Sequence, residues 1–451
     1  MILVFMLSLI GAAAVTVQAQ DSDKELRQVL IANEGNFGQG NASLSRFSVS
    51  DSNAAQNVYS DANGGNALGD VAQSISKIDG SYYVVVNNSH RIVVLDEETL
   101  QQQAVIPIPN EAGPREIRKV AEDTAYVTNL NGNDVSLIDL QTYEEVDSIA
   151  VGMNPDKITL HNEKAYVSNW GYGNDSTISV IDINTHEVTD TLVASAGPRS
   201  LRVDDQDRLW VISEGYAGDY DDDFNLIPGT SKPGGLHVFD LSDHSELEHH
   251  QLPNGGIGED LVIHNEAGKA YINTGGVRSV DMESLELAAD TLIKGSFYHM
   301  SLSKGVKPTF YLTDAQGFTQ AGTAVMYSVN GDSIGSFGTG VGPGSIHYSY
   351  ETTTSNPVVE EPASKEFELG ANYPNPFNPS TTIPFTLTRS SDVHLAIYNS
   401  IGREVKTLID GKIQSGRHTA RFRSQNLASG IYHYRLTVDG RVQTKTMMLI
   451  K

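Results

Sequence analysis

A unit of about 40 residues recurs along most of this chain, and the stretch from Ala125 to Ile158 shows it most clearly. Three segments in it alternate apolar and polar residues, Tyr126–Asn129, Val135–Asp139 and Glu145–Val151, with turn-forming residues between them. Alternation at a period of two is typical of half-buried antiparallel strands. One such unit would be marginally stable alone, so its repetition predicts a fold in which neighbouring units cover one another.

The repeats align on the apolar residue that opens the innermost strand of each unit. These positions lie 39 to 46 residues apart, with one interval of 60, at Ile75, Ile117, Ile158, Leu201, Leu261, Met300 and Ile346. Four-stranded units of this length are typical of β-propeller blades. The chain begins on a second strand, Gln28–Asn33, and the repeats end on a first strand, Ser345–Tyr350. We therefore predict an all-β, seven-bladed propeller closed by exchange of these strands, which removes exposed sheet edges.

The two ends of the chain differ from the repeats. Residues 1–19 are an apolar run followed by small residues, which predicts a secretory signal peptide. The propeller is predicted for residues 20–350, and the Pro-, Thr- and Glu-rich residues 351–365 are predicted to be a linker. Residues 366–451 alternate again without the repeat, which predicts a small antiparallel β-sandwich.

Composition narrows the possible functions. The chain has no cysteine, so disulfides and thiolate metal sites are excluded. Its formal net charge of −25 argues against nucleic acid and anionic membrane surfaces as partners. Beyond the N-terminal run, no segment is long and apolar enough to predict a transmembrane helix.

Two stretches resemble a known repeat family. Tyr126–Asn129 (YVTN), followed by VSLIDLQT and closed by VGMNPDKI, resembles the YVTN-repeat family of seven-bladed β-propellers. Tyr166–Asn169 (YVSN) with ISVIDINT is a second copy. The resemblance covers roughly residues 26–350. It implies the fold but no single function, because such propellers include binders and enzymes alike.

A narrower likeness concerns the ligand. Asn33–Gly38, Leu68–Gln73 and Val86–Ser89 look like segments of surface propellers from Bacteroidetes-type outer membranes. Some of those proteins capture cobalamin, so the resemblance implies a corrinoid as one candidate ligand. The same motifs also occur in propellers without a known ligand, which leaves the ligand open.

The C-terminal region resembles type A sorting domains of the type IX secretion system nearly end to end. The matching stretches are Tyr373–Pro379 (YPNPFNP), Ile397–Val405 (IYNSIGREV), Leu427–Tyr432 (LASGIY) and the terminal Lys451. The resemblance implies that the secretion machinery is a partner of residues 366–451. It also implies that the chain reaches the medium or the outer surface of a diderm bacterium.

A ligand site is expected where loops entering the first strands and leaving the second strands converge around the propeller axis. The entry positions differ from blade to blade while the strand cores repeat, as a site would require; the alternative is a solvated channel rim. Five loop aromatics add flat contact area. The predicted ligand-binding residues are Asn33, Phe37, Asn87, Arg115, Asn129, Asn169, Trp170, Tyr172, Arg199, Tyr216, Glu259, Tyr298, His299 and Phe318.

The interval of 60 residues reflects an insertion in the fifth blade, 217–234. Asp219, Asp221 and Asp223 alternate there, like the start of a calcium-binding loop. The glycine and glutamate that complete such a loop are missing, so Ca²⁺ competes with a solvated acidic lid. Apart from Ca²⁺ and the corrinoid that the resemblance implies, the sequence leaves the cofactor unknown.

An acid also recurs at the end of the third strand in five blades, followed three residues later by Thr, Ser or Asp. The pairs are Asp96/Thr99, Asp139/Thr142, Asp182/Thr185, Asp240/Asp243 and Asp281/Ser284. Asp side chains bond nearby amides in tight turns, so we assign these pairs to hairpins and exclude them from the site.

The sequence favours an exported, non-catalytic propeller that captures a cofactor such as a corrinoid, a glycan or a protein partner. The chain lacks the G-x-S-x-G, H-E-x-x-H and phosphate-loop motifs. The alternatives are a structural surface-layer component or a metal-dependent, lactonase- or lyase-like enzyme. The residues that such an enzyme would use are Asp156, Glu259, Asp260 and His299.

Overall fold

The structure is a computed structural model that describes residues 24–253, 260–352, 367–370, 372–399, 403–424, 427, 430–438 and 441–449. The chain divides into two compact units, Met1–Thr353 and Thr354–Lys451. The predicted signal peptide, nearly all of the predicted linker, Glu259 and Lys451 lie outside the described residues. Within those residues, no helix is long and apolar enough to span a membrane.

The N-terminal unit is built from strands in regular succession. In chain order, β1 to β15 are Lys24–Asn33, Ser43–Ser48, Asn53–Ala55, Ala72–Ile78, Ser81–Val86, Arg91–Asp96, Gln102–Pro107, Pro114–Lys119, Thr124–Asn129, Asp134–Asp139, Glu144–Ala150, Pro155–His161, Lys164–Asn169, Thr177–Asp182 and Glu187–Val193. Strands β16 to β28 are Pro198–Val203, Arg208–Ser213, Gly234–Asp240, Glu246–Leu252, Leu261–His264, Lys269–Asn273, Gly276–Asp281, Ile293–Lys294, His299–Leu302, Thr309–Asp314, Thr323–Ser328, Ser333–Gly338 and Pro343–Thr352.

These strands form seven four-stranded antiparallel sheets within residues 24–352. Blade 1 contains β28, β1, β2 and β3, and blades 2 to 7 each take four consecutive strands, from β4–β7 to β24–β27. The innermost strands β4, β8, β12, β16, β20, β24 and β28 each contact the next, and β28 contacts β4. The ring is therefore closed, and the predicted all-β, seven-bladed propeller is confirmed.

Closure occurs by the predicted strand exchange. The C-terminal strand β28 pairs with the N-terminal β1 in antiparallel register, with Leu30 opposite His347 and Ile31 opposite Ile346. Blade 1 thus combines residues separated by more than 300 positions in sequence. The first and last strands of the propeller protect one another's edges.

The core consists of layers between neighbouring blades. Strand β5, with the sequence SYYVVV, is buried from Tyr82 to Val86 because both of its faces are covered. Val84 packs toward blade 1, in one cluster with Leu30, whereas Val85 packs toward blade 3, in one cluster with Ile117. Each fully buried valine of this kind contributes about 1.5–3 kcal/mol. A blade without its neighbours would expose both faces.

Helical structure is confined to short connections. The helix α1 is Val58–Ala62, and short 3₁₀ turns lie at Asn87–Ser89, Gly171–Gly173, Asn265–Ala267 and Gln316–Phe318. Three of these turns begin within two residues of the end of a second strand, where the site is expected. The strands are β5, β13 and β25.

The recurrent acids serve the hairpin turns, as expected. Asp96 Oδ1 accepts hydrogen bonds from the backbone N–H and hydroxyl of Thr99, both at 2.8 Å. The backbone N–H groups of Thr142, Thr185 and Ser284 donate in the same way to the acids three residues before them. These four acids therefore stabilise the turns of their own hairpins.

The C-terminal unit contains two antiparallel sheets, as predicted for a small sandwich. Strands β29 to β35 are Phe367–Leu369, Ser380–Leu387, Ser391–Asn399, Glu404–Ile413, Gly416–Arg423, Gly430–Val438 and Arg441–Leu449. One sheet has the order β29-β30-β33 and the other β32-β31-β34-β35. Their inward faces share a core that includes Phe377, Leu395, Phe422 and Tyr434.

Candidate functional site

A pocket of about 680 Å³ opens where the entry and exit loops of the blades meet, and we call it the top pocket. All seven blades or their loops contribute to its wall. The lining residues are Glu34, Gly35, Asn36, Phe37, Val71, Gln73, Asn87, Arg115, Leu130, Lys157, Trp170, Tyr172, Arg199, Ser200, Glu214, Asp260, Tyr298, His299, Phe318 and Gly344.

The buried carboxylate of Asp156 organises one side of the pocket. Arg115 Nε lies 2.8 Å from Asp156 Oδ1, and Arg199 Nε lies 3.0 Å from Asp156 Oδ2. Burial alone would raise the pKa of Asp156, but the charges of Arg115, Lys157 and Arg199 outweigh burial and hold this pKa well below its usual value. Arg115 also donates to Gln73 Oε1 at 2.6 Å. Hydrogen bonds and ion pairs therefore connect blades 2 to 5 at the wall of the pocket.

Arg199 is fixed from two further directions. Its Nη1 lies 3.1 Å from Glu214 Oε2, and its guanidinium carbon lies 4.2 Å from the centroid of the Trp170 ring. Trp170 donates its indole N–H to Glu214 Oε1, and the ring of Tyr172 lies 4.0 Å from its own, centroid to centroid. The Trp170 ring is thus engaged by protein groups.

A carboxyl group and a phenol meet on the other side of the pocket. The hydroxyl of Tyr298 donates to Glu34 Oε1 at 2.6 Å, and the Tyr298 ring packs edge-on against Phe318. Burial raises the pKa of Glu34, and the hydrogen bond from Tyr298 and the nearby cations only partly offset this effect. Glu34 therefore holds its proton to higher pH than an exposed glutamate.

The neighbouring His299 is paired with an acid. Its Nδ1 lies 3.0 Å from Asp260 Oδ1, while Asp260 Oδ2 accepts the backbone N–H of Met300 at 2.6 Å. Burial would raise the pKa of Asp260, but His299 and this hydrogen bond lower it overall. The pair fixes Nδ1 of the imidazole and leaves Nε2 as the nitrogen available to a ligand.

Two lining aromatics occupy unusual backbone conformations. Tyr172 has φ 51° and Phe318 has φ 58°, in the left-handed region that bulky residues rarely adopt. Such conformations cost of order 1–3 kcal/mol each. Both residues lie in or at the end of the 3₁₀ turns of the exit loops, so the turns carry these rings to the pocket wall.

The structure brings nine of the fourteen predicted site residues to this pocket. They are Phe37, Asn87, Arg115, Trp170, Tyr172, Arg199, Tyr298, His299 and Phe318. Glu259 lies outside the described residues. Tyr216 directly precedes the insertion and does not line the pocket, and its hydroxyl donates to Asp219 Oδ1.

The remaining three predicted residues do not line the pocket. Asn33, Asn129 and Asn169 are buried within their blades, where their side-chain amides donate to the hydroxyls of Ser45, Ser136 and Ser179 on the third strand. The asparagine that ends each of these second strands thus forms a hydrogen bond to the third strand of the same blade. This role explains its recurrence in the repeat better than ligand binding does.

The geometry also gives no support to the expected calcium loop. Asp219 accepts from Tyr216, and Asp221 caps its own turn by accepting the backbone N–H groups of Asp223 and Asn225. Their carboxylates do not form a three-residue ligand cluster in the described part of the chain. These acids serve the internal hydrogen bonds of an exposed loop.

A different group of potential metal ligands lies on the outer strands of blade 5: His237, Glu246 and His249. Both ring nitrogens of His237 already have partners, since Nδ1 bonds Glu246 and Nε2 lies 2.8 Å from the backbone N of Ser195. The rings of His237 and His249 are stacked 4.2 Å apart. Stacked imidazoles do not aim their lone pairs at one point, so we assign no metal here.

Sequence reasoning missed several pocket residues. Gln73, Lys157 and Asp260 lie one or two residues before the apolar residues that open first strands, and Glu214 directly follows the second strand β17, but none of them is among the predicted ligand-binding residues. Glu34 follows the exit asparagine of β1 directly. Its position one residue beyond a second strand was the available signal.

Comparison with known proteins decides the nature of the C-terminal unit. Residues 371–451 match the family described as "Secretion system C-terminal sorting domain". The C-terminal unit is a type IX sorting domain. Export to the cell surface or the medium is thereby confirmed, and the secretion machinery is a partner of this domain.

The propeller matches a family whose description names no function. Residues 28–215 match the family described as "Domain of unknown function (DUF5074)". A search of curated proteins finds no match. The likeness to YVTN-repeat and cobalamin-capturing propellers stays a prediction.

Two solved structures illustrate the fold match. A quinoprotein alcohol dehydrogenase-like protein from Bacteroides thetaiotaomicron is 15% identical with a TM-score of 0.52, covering 73% of this chain and 78% of that one. Hydrazine synthase from Kuenenia stuttgartiensis is 15% identical with a TM-score of 0.50, covering 63% of this chain and 96% of that one. At this identity the likeness shows the fold and carries no activity across.

Proposed function

We propose that this exported propeller is a binding protein that captures a small molecule, or the exposed end of a larger one, in the top pocket. The observation that carries the proposal is the convergence of side chains from all seven blades on one open cavity. Its volume of about 680 Å³ falls within the 300–1,000 Å³ typical of small-molecule sites. A corrinoid, a glycan and a protein partner remain the candidate classes.

The composition of the rim supports capture from solution. Phe37 is 77% exposed and Tyr172 is 50% exposed, so both present apolar area that only a bound ligand would cover. Beneath them lie fixed charges and hydrogen-bonding groups such as Arg115 and Asn87. An apolar rim above a few oriented polar groups is the usual design of a binding pocket.

A thermal-shift screen of the full chain tests the proposal, because a ligand that binds only the folded state raises the melting temperature. The panel comprises corrinoids, glycans and small organic acids. We expect Phe37→Ser to reduce the shift given by a binding compound. The matched control is Phe224→Ser, since Phe224 is 87% exposed on the insertion and does not line the top pocket. Equal loss in both variants would refute capture at this site, and the absence of any shift would refute capture of a small molecule or glycan and leave a protein partner.

Acid–base catalysis in the same pocket is the second candidate function, favoured by one specific observation. The pocket combines Glu34, a carboxyl group with a raised pKa, and His299, an imidazole positioned by Asp260. Separated acid and base groups of this kind are what proton-transfer catalysis requires. A metal-dependent variant has less support, since the carboxylates of Asp156 and Asp260 already pair with Arg115, Arg199 and His299.

Binding and catalysis are distinguished by following each compound that binds. We would incubate it with the full chain and record its proton NMR spectrum over time. Turnover that His299→Gln abolishes while binding persists would establish an enzyme. Spectra that do not change with time would show that the compound is bound without turnover and would support the binding protein.

A further inference from the structure

We propose that Lys157 binds a singly charged oxyanion, a carboxylate or a phosphate diester, on the ligand that the top pocket captures. The inference rests on the proposed function and names the chemical class of ligand that this pocket selects. It concerns a residue that sequence reasoning did not include among the binding residues.

The position of Lys157 places its charge near the pocket axis. It follows Asp156 at the entry of blade 4 and lines the top pocket. Its charge lowers the pKa of Glu34, Asp156 and Asp260, which belong to blade 1, blade 4 and the entry of blade 6. Because Lys157 itself lines the pocket, its charge lies beside the cavity that these acids surround.

The other two cations of the pocket are already neutralised. Arg115 pairs with Asp156 and donates to Gln73. Arg199 pairs with Asp156 and with Glu214. These interactions hold both guanidinium groups in place and leave their charges compensated.

The acids of the pocket are likewise engaged. Glu214 accepts from Trp170 and pairs with Arg199, and Asp260 pairs with His299. Glu34 accepts from Tyr298, and burial raises its pKa.

The ammonium group of Lys157 is the exception. Within the described residues it has no hydrogen-bond or salt-bridge partner. A partly buried ammonium loses hydration, and an incoming oxygen anion would replace that hydration with a charge-assisted hydrogen bond.

The surrounding charges favour one negative charge on the ligand over two. A single ammonium without a paired acid balances a monoanion, and among the described lining residues no other lysine or arginine lacks a paired acid to balance the second charge of a phosphate monoester. Glu34 opposes a monoanion less than an ordinary carboxylate would, because its raised pKa keeps more of it neutral. A carboxylate and a phosphate diester share this chemistry, with one charge over two oxygens.

Isothermal titration of the full chain with four probes tests the inference: benzoate, benzamide, diphenyl phosphate and phenyl phosphate. We expect one of the two monoanions, benzoate or diphenyl phosphate, to bind at least about tenfold more tightly than neutral benzamide. The monoanion that binds identifies the source of the charge. Tightest binding by dianionic phenyl phosphate would overturn the inference.

Three lysine variants locate the contact. We expect Lys157→Met to weaken the binding of the monoanion about 10–100-fold and Lys157→Arg to restore part of it. Lys307→Met serves as the matched control, since Lys307 is exposed and lines no part of the top pocket. Equal affinity in wild type and Lys157→Met would overturn the assignment.

The two proposals fail in different ways. If neither monoanion binds but a neutral compound raises the melting temperature in the thermal screen, the inference about Lys157 is wrong and capture by the top pocket stands. If neither experiment detects binding, the inference about Lys157 is wrong and so is capture of a small molecule or glycan by the top pocket.

Discussion

The guanidinium carbon of Arg199 lies 4.2 Å from the centroid of the Trp170 ring. Glu214 joins the two, since one of its oxygens accepts the indole N–H and the other pairs with Arg199. Trp170 therefore contributes to the pocket by holding a cation in place, as well as by its own surface. This role differs from that of a bare aromatic platform, which would leave its ring free for the ligand.

The contact predicts measurable coupling between Arg199 and Trp170. In a double-mutant cycle with Trp170→Ala and Arg199→Ala, we expect the effects on unfolding free energy to deviate from additivity by about 0.5–2 kcal/mol. Urea unfolding of the four proteins provides the measurement. Additivity within about 0.3 kcal/mol would show that the contact contributes nothing to stability.

Removing the charge of Asp156 should destabilise the propeller. Asp156→Asn leaves the guanidinium groups of Arg115 and Arg199 without their buried counter-ion. Breaking a buried ion pair from one side costs about 3–5 kcal/mol. Asp205→Asn is the control, because Asp205 is exposed and surface changes are usually within about 0.5 kcal/mol. Similar unfolding free energies for the two variants would contradict this role of Asp156.

Asn169 should matter for stability and not for the ligand. Its side-chain amide donates to the hydroxyls of Thr177 and Ser179 inside blade 4, so Asn169→Ala removes two buried or partly buried hydrogen bonds. We expect a loss of about 1–3 kcal/mol in unfolding free energy. Asn174→Ala, at an exposed position of the following loop, should change little. A variant Asn169→Ala with normal stability and lost ligand binding would restore Asn169 to the site.

The sequence was sufficient to predict the architecture because the propeller repeats its physical requirements in every blade. Alternating strands, turn acids and the apolar residues that open first strands recur at nearly constant intervals. An ambiguous strand assignment in one blade can therefore be resolved by comparison with the other blades. The closing strand could be predicted as well, since Ser345–Tyr350 was a first strand without a blade of its own.

The site was predicted less completely because convergence in space leaves little periodic signal. Entry positions such as Arg115 and His299 could be found by their divergence within the repeat. The direction of a side chain at an exit position could not, so Asn129 and Asn169 were assigned to the pocket although they face into their blades. The sequence also does not show which charged side chains pair with one another. It therefore cannot show that Lys157 lacks a paired acid, because pairing depends on distances in the folded chain.

The strand exchange predicts that the propeller requires β28. A chain ending at residue 344 lacks the partner of β1, whereas a chain ending at residue 353 keeps it. We expect the shorter chain to melt at least about 10 °C lower, because an innermost strand and its contacts with two blades are lost. Differential scanning calorimetry compares the two. Equal melting temperatures would show that the ring does not depend on this strand.

Glu34 should make stability depend on pH in a direction opposite to that of most acids. Burial raises its pKa in the folded chain above the ordinary value of 4.5, so the folded state binds the proton more tightly than the unfolded state does. Its contribution to stability is therefore fully present below the unfolded pKa and is lost as pH rises through the folded pKa. Each unit by which the pKa is raised corresponds to about 1.4 kcal/mol.

Glu34→Gln removes this dependence while keeping an oxygen that can accept from Tyr298. We expect the melting temperature of Glu34→Gln, relative to wild type, to increase between pH 4 and pH 8. Glu163→Gln, at an exposed position, should differ from wild type by a constant amount over the same range. A constant difference for Glu34→Gln as well would mean that the carboxyl group of Glu34 is not held protonated by burial. The acid proposed for proton transfer in the pocket would then be lost, and Glu34 would oppose an anion at Lys157 as an ordinary carboxylate does.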